Sequence, residues 1–158
     1  ENASYGGNTF LVWRPEVARV LVIDDCQDFR DWARCVLERE GLEVIEARDA
    51  LAGLQRSVED TPDLVLLAED LSGLDGLDVA SRLSQESATR GLPVLVSSEC
   101  ADGALRRAAR SVGAQGVLPR SYRAEDLAAP VREALVGAGV TWIPAVQSTR
   151  LVGSPTAF

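Results

Sequence analysis

The sequence predicts an α/β protein, a parallel sheet of five strands with helices on both faces. Three observations carry that assignment. From Arg19 onward, short apolar runs alternate five times with longer segments of helical period, the pattern that parallel strands and crossover helices produce. The best-formed runs are continuously apolar, as strands buried on both faces require. Breakers such as Gly41, Thr61-Pro62, Ser72-Gly73 and Asp75-Gly76 fall between the segments.

The first strand, Val20 to Ile23, ends in Asp24-Asp25. The first helix opens with Asp28 as its expected cap, and Phe29, Trp32, Ala33, Val36 and Leu37 follow the i, i+3, i+4, i+7, i+8 stripe until Gly41 stops it. Leu42 to Ala47 reads as the second strand, and Asp49 to Glu59 as the second helix with Leu51, Leu54 and Val58 on one face. Leu64 to Ala68 is the third strand, and Leu77 to about Ser87 the third helix after two turn signals. Pro93 to Ser97 gives the fourth strand, Asp102 to about Val112 the fourth helix, and Gly116 to Pro119 a short fifth strand. The fifth helix, from about Arg123 to Val136, contains Pro130; the missing backbone donor should kink it or delay its start.

The expected organisation is an extension over residues 1–18, one domain over 19–137 and a linker or docked tail over 138–158. Phe10 to Trp13 marks the extension, and Trp142 and Ile143 are the apolar anchors of the tail. Right-handed crossovers order the sheet 2-1-3-4-5 and bring the carboxyl ends of strands 1, 3, 4 and 5 to one crevice. Function should be sought there.

A chain of 158 residues can bury one proper core and not two. It holds no apolar run near the roughly 18 residues of a membrane span. Its formal charge of -8 opposes nucleic-acid binding, which depends on neutralising phosphates. All 16 basic residues are arginine and there is no histidine. A GC-rich coding sequence is enough to explain that bias, which removes the usual general base and the usual amine nucleophile. Cys26, Cys35 and Cys100 are odd in number and unevenly spaced, which argues against a zinc site or disulfide framework and for buried thiols of a cytoplasmic protein. The first residue is not methionine and no secretory layout follows it, pointing to a processed, trimmed or excerpted chain.

At the crevice stand Asp24-Asp25, the segment from Ala68 to Gly76, Ser98 and Arg120. Val-Leu-Val-Ile-Asp-Asp, Pro62-Asp-Leu-Val-Leu-Leu followed by Gly73-Leu-Asp-Gly-Leu, and Gly113-Ala-Gln-Gly-Val-Leu-Pro-Arg120 together resemble the receiver domain of bacterial response regulators, a flavodoxin-like doubly wound fold, over roughly Arg19 to Val136. The resemblance implies an acidic pair that holds magnesium and a phosphoacceptor aspartate ending the third strand. It further implies a Ser or Thr and a Lys that contact the phosphoryl group, and an aromatic switch residue on the fifth strand. Here the acidic pair is Asp24 and Asp25 and the hydroxyl is Ser98, but the phosphoacceptor position holds Ala68, the lysine position Arg120, the following proline position Ser121 and the switch position Val117.

An alanine cannot form an acyl phosphate. The resemblance therefore implies an atypical receiver, phosphorylation-independent and not an enzyme, acting as a signalling and interaction module in a two-component phosphorelay. Strand alternation should turn Glu69 to the opposite face, and Asp70, in a loop, is a weak substitute nucleophile. Loss of the third carboxylate leaves magnesium held weakly by Asp24 and Asp25 or not at all, with no cofactor required. Arg120 is expected to pair bidentately with Asp24 or Asp25. Partners are expected at the face made by the fourth helix, fifth strand and fifth helix, where Arg106, Arg107 and Arg110 form a basic patch suited to an acidic protein. A plain solvated face explains the same charges. Pairing of two copies there, or a small ligand in the crevice, stays open, while nucleic acid and membrane are not expected partners.

Two other readings compete. One is an engineered Asp-to-Ala form of a conventional receiver, against which Arg120, Ser121 and Val117 all speak. The other is a magnesium-dependent phosphohydrolase with Asp24 as nucleophile, whose usual Asp-x-Asp is missing from Asp24-Asp25-Cys26-Gln27.

Overall fold

The computed structural model describes residues 17–142. Five parallel strands, β1 (Arg19–Ile23), β2 (Glu43–Ala47), β3 (Leu64–Ala68), β4 (Val94–Ser98) and β5 (Gly116–Pro119), form one sheet in the order β2-β1-β3-β4-β5. The helices are α1 (Gln27–Arg39), α2 (Ala50–Glu59), α3 (Gly76–Gln85), α4 (Gly103–Ser111) and α5 (Ala124–Gly137). This is the fold class and strand order that the sequence predicts.

Burial explains why the strands read as continuous apolar runs. Val20 and Val22 of β1 pack with Phe29 and Leu37 of α1 and with Leu127, Val131 and Leu135 of α5. Leu21 and Ile23 face the other way, onto Ala50 of α2, Val79 and Leu83 of α3 and Leu105 of α4. Each fully buried aliphatic side chain contributes roughly 1.5–3 kcal/mol relative to exposure. In β1, β3 and β4 both faces therefore favour the sheet, and neither leaves a polar side to alternate.

Helix starts follow short acceptors. Asp49 accepts from Ala52 N–H at 2.7 Å, Asp75 from Leu77 at 2.9 Å and Asp102 from Leu105 at 2.8 Å, each satisfying an orphan donor of the first turn. At α1 the expectation fails. Asp28 lies inside the first turn, Cys26 occupies the cap position without a side-chain bond, and Asp24 accepts the Cys26 N–H at 2.9 Å instead. Asp28 keeps a favourable place beside the positive end of the helix.

The inward face of α2 is also corrected. Leu51 is 77% exposed and Val58 51% exposed, while Ala50, Gly53 and Ser57 face the sheet. The reason is steric: a Cβ on Gly53 would lie 2.5 Å from Ile23 Cδ1. The helix seats on its small residues with Leu54 half-buried against the same core, so Leu51 and Val58 point out.

A two-rung hairpin, Asp70–Leu71 against Leu74–Asp75, follows β3, where the sequence predicts only turns. Pro130 does not delay α5, which runs from Ala124 to Gly137. At the foot of α5, Arg132 reaches Glu40 at 2.8 Å and Glu125 at 2.6 Å. Trp142 Nε1 donates to the Glu40 carbonyl at 3.0 Å, so the tail is docked as far as Trp142. Phe10 to Trp13 and Ile143 lie outside the described residues. The expected burial of the thiols is wrong: Cys35 and Cys100 are exposed and Cys26 partly so, all three free, because Cys35 sits on the outer face of α1 and Cys100 in the β4–α4 loop. Among the described residues, no helix is long and apolar enough to cross a membrane.

Candidate functional site

The carboxyl ends of β1, β3 and β4 and the β5–α5 loop enclose a crevice of about 490 Å³. Its walls carry five carboxylates, Asp24, Asp25, Glu69, Asp70 and Glu99, against one guanidinium, Arg120. How those charges are paired decides what the crevice can do.

Asp24 is 1% exposed and both of its oxygens are engaged. One accepts from Cys26 N–H, the other from Arg120 Nη1. Its backbone is fixed as well: the carbonyl accepts from Arg30 Nη1 at 2.7 Å, and the N–H donates to Ala47 at 3.0 Å. Arg30 is itself buried and bonds Glu46 at 3.0 Å, as Arg34 does at 2.6 Å. Burial pushes the Glu46 carboxyl up, but the bonds from Arg34 and Arg30 outweigh it and hold the group below its ordinary value.

Arg120 turns into the crevice. The same Nη1 that meets Asp24 lies 3.3 Å from Ser97 Oγ, so the pair is not the two-pronged fork expected; the guanidinium is shared between carboxylate and hydroxyl. Its carbon sits 3.9 Å from the centroid of the Phe29 ring, a stacked cation. Phe29 packs in turn with Trp32 and Tyr122, centroids 5.6 and 5.9 Å away. Burial pulls the Arg120 pKa down, and the hydrogen bond and charge of Asp24 raise it by more, so the net shift is upward. Burial raises the Tyr122 phenol, with Cys26 adding to it.

Ala68 closes β3 at 3% exposed, beside Ser97 in register. No room is left behind it, since a Cβ on Gly76 would collide with the Ala68 carbonyl oxygen. Glu69 is the largest correction to the sequence reading. It lines the crevice, and its Oε1 accepts from Ser98 Oγ at 2.6 Å. Alternation holds only while a strand continues. The chain turns at Glu69, whose carbonyl takes the Gly76 N–H at 2.6 Å, and the long side chain swings back over the strand end. Ser98 is buried and also accepts from Cys100 N–H at 2.9 Å.

Asp25 is exposed and accepts from Ser72 of the hairpin. Asp70 is placed in the hairpin rather than in an irregular loop, exposed at the rim, with Gly73 N–H 3.5 Å away. Val117 is buried in β5, remote from the crevice lining, and its carbonyl accepts from Arg106 Nη1 at 3.3 Å. Arg107 and Arg110 are exposed on α4. Glu69, Ser97, Glu99, Phe29 and Tyr122 are the members of the site that sequence reasoning missed. Only Ser97-Ser98, two hydroxyls closing an apolar strand, gave a signal; Tyr122 depends on a positive φ of 59° that composition does not reveal.

The donor set does not fit the magnesium ion that the resemblance implies. That ion needs charged oxygens in near-octahedral array, whereas the outer oxygen of Asp24 faces a guanidinium and the third carboxylate is a methyl group. Among the described residues, no group of three or more acidic or thiol side chains is placed to hold a metal.

A family model described as "Response regulator receiver domain" matches residues 20–132. The phosphate regulon transcriptional regulatory protein PhoB of Escherichia coli is 29% identical over 114 residues, covering 72% of this chain and 50% of the relative. Response regulator MprA of Mycobacterium ulcerans is 33% identical over 117 residues, covering 74% and 50%. The chain thus spans about half the length of these curated relatives. Among solved structures, NtrX from Brucella abortus superposes with a TM-score of 0.72 at 29% identity, over 78% of this chain and 28% of that one. The chemotaxis response regulator CheY4 of Vibrio cholerae gives 0.71 at 21% identity, over 75% and 99%, and shows the fold alone.

Proposed function

This chain belongs to the response regulator receiver domain family, and we propose that it signals without phosphorylation, as a protein-interaction module of a two-component pathway. One observation carries the reading: the strand-end position that needs a nucleophilic carboxylate bears a methyl group, buried beside an Arg120–Asp24 ion pair. Phosphoryl transfer needs an attacking oxygen and a free cation to neutralise the developing charge, and the crevice offers neither at Ala68. Asp24 is a poor substitute, because both of its oxygens are already bonded. The protein is on this reading not an enzyme, requires no cofactor and works in the cytoplasm.

Its docking face is the one formed by α4, β5 and α5. Arg106 is partly tied to the Val117 carbonyl, which leaves Arg107 and Arg110 to meet an acidic protein partner. Charge reversal of both in the parent protein should abolish output while leaving the fold intact.

The deciding experiment is intact mass after incubation with magnesium and a small acyl-phosphate donor, run beside Ala68→Asp. No phosphoryl mass on the unaltered chain is the expected result. A gain on Ala68→Asp alone would mean that the loss at residue 68 is the whole difference from a competent site. A gain on the unaltered chain would overturn the reading and direct attention to Asp70 or Asp24.

A further inference from the structure

We infer that Arg120 is the resident cation of the crevice, a tethered counter-ion that shuts divalent metal out of a pocket rich in carboxylates. The inference rests on the phosphorylation-independent reading and extends it to how the site is kept inactive.

Topology places the guanidinium. In the order β1-β3-β4, Ala68 at the end of β3 lies between Asp24, just past β1, and Ser97 on β4. A single nitrogen of Arg120 contacts both Asp24 and Ser97, so it spans the strand end occupied by the Ala68 methyl. A carboxylate there would compete for that nitrogen; a methyl leaves the space free.

Three of the five carboxylates are committed, and the other two, Asp70 and Glu99, are exposed. Asp24 accepts from Cys26 as well as from Arg120, Asp25 from Ser72 and Glu69 from Ser98. Every buried side-chain polar atom among the described residues has a partner. A hard divalent ion entering this crevice would displace the guanidinium from Asp24 and then stand beside its charge, and would also have to replace its own water shell with ligands already in use. The Phe29 ring under the guanidinium favours its staying.

The test is manganese binding followed by the loss of the free-ion electron paramagnetic resonance signal, on the unaltered chain, Arg120→Met, Arg120→Gln and the double variant Arg120→Met/Asp24→Asn. The unaltered chain should show no saturable site at millimolar ion. Either single variant whose circular dichroism matches the parent should gain one site at least about tenfold tighter, a difference of ~1.4 kcal/mol, and the double variant should lose it. Arg120→Gln keeps donors for Asp24 and so guards against misfolding of the methionine variant. A saturable site on the unaltered chain that the double variant lacks would overturn the inference, as would folded Arg120 variants that gain nothing. Measuring phosphoryl mass on the same samples separates the two claims. Manganese binding to the unaltered chain without a phosphoryl gain sinks the tethered cation alone, whereas a phosphoryl gain on the unaltered chain sinks the proposed function.

Discussion

Replacing Arg120 with methionine tests the crevice as an electrostatic unit, and the structure fixes the size of the effect. Asp24 is 1% exposed and would retain only the Cys26 N–H as a partner. Removing one member of a buried ion pair costs ~3–5 kcal/mol, because the other charge stays buried and uncompensated. The lower end applies here, since the Arg120 side chain is 13% exposed and methionine preserves much of the contact with Phe29; about 3 kcal/mol is expected. Asp24→Asn should cost less, ~2 kcal/mol, because the amide oxygen still accepts from Cys26 and Arg120 can turn outward. The double variant removes both charges and should cost no more than the arginine change alone, giving a coupling of about 2 kcal/mol. Urea unfolding followed by circular dichroism, with a common m-value across the four proteins, reads these differences. A coupling below ~0.5 kcal/mol would refute the claim that the pair acts as a unit.

Other perturbations probe the supports of the site. Gly76→Ala should destabilise by several kcal/mol, ~3 or more, because its Cβ meets backbone at Ala68 that cannot move aside; an unfolding midpoint within error of the parent would contradict this. Glu46 is held below its ordinary value by Arg34 and Arg30, so the stability it adds is fully present above about pH 4.3 and is lost as pH falls through its lowered folded value. Midpoints measured from neutral to acid pH should show that acid-side loss, and Glu46→Gln should flatten it. Trp142→Ala removes the bond to Glu40 and about 2 kcal/mol of packing, which hydrogen exchange should report as lost protection at the end of α1 with little change at the crevice.

Much of the fold was legible because its signals are local. Val20 to Ile23 and Leu64 to Ala68 are apolar throughout since both sheet faces are covered, and Gly41 takes a φ of 85° where the α1 stripe ends. The inward face of α2 was not legible. Leu51 and Val58 satisfy a helical period, but the helix approaches the sheet through Gly53, and that choice is made by Ile23 from another strand. Tertiary contact overrode hydrophobicity, as it does wherever close approach is worth more than one buried leucine.

The site divides along the same line. That Ala68 has no attacking oxygen follows from the residue itself. What fills the place of the lost charge does not, because it depends on side chains that arrive from three directions: Arg120 from the end of β5, Glu69 folding back over β3 and Phe29 beneath them on α1. Sequence offset placed Glu69 on the wrong face because the strand stops one residue before it. Once there, its carboxylate takes the Ser98 hydroxyl while Arg120 takes Asp24, so the two groups to which the proposed reading assigns phosphoryl contacts in the family are both occupied by the protein. Restoring an aspartate at residue 68 would therefore place a third carboxylate beside Asp24 and make it compete for Arg120, whereas Ala68→Asp combined with Glu69→Gln leaves Ser98 less tightly held. If internal pairing is what keeps the site inactive, the double variant should accept phosphoryl groups faster than Ala68→Asp alone, and equal rates by intact mass would show that Glu69 has no part in it.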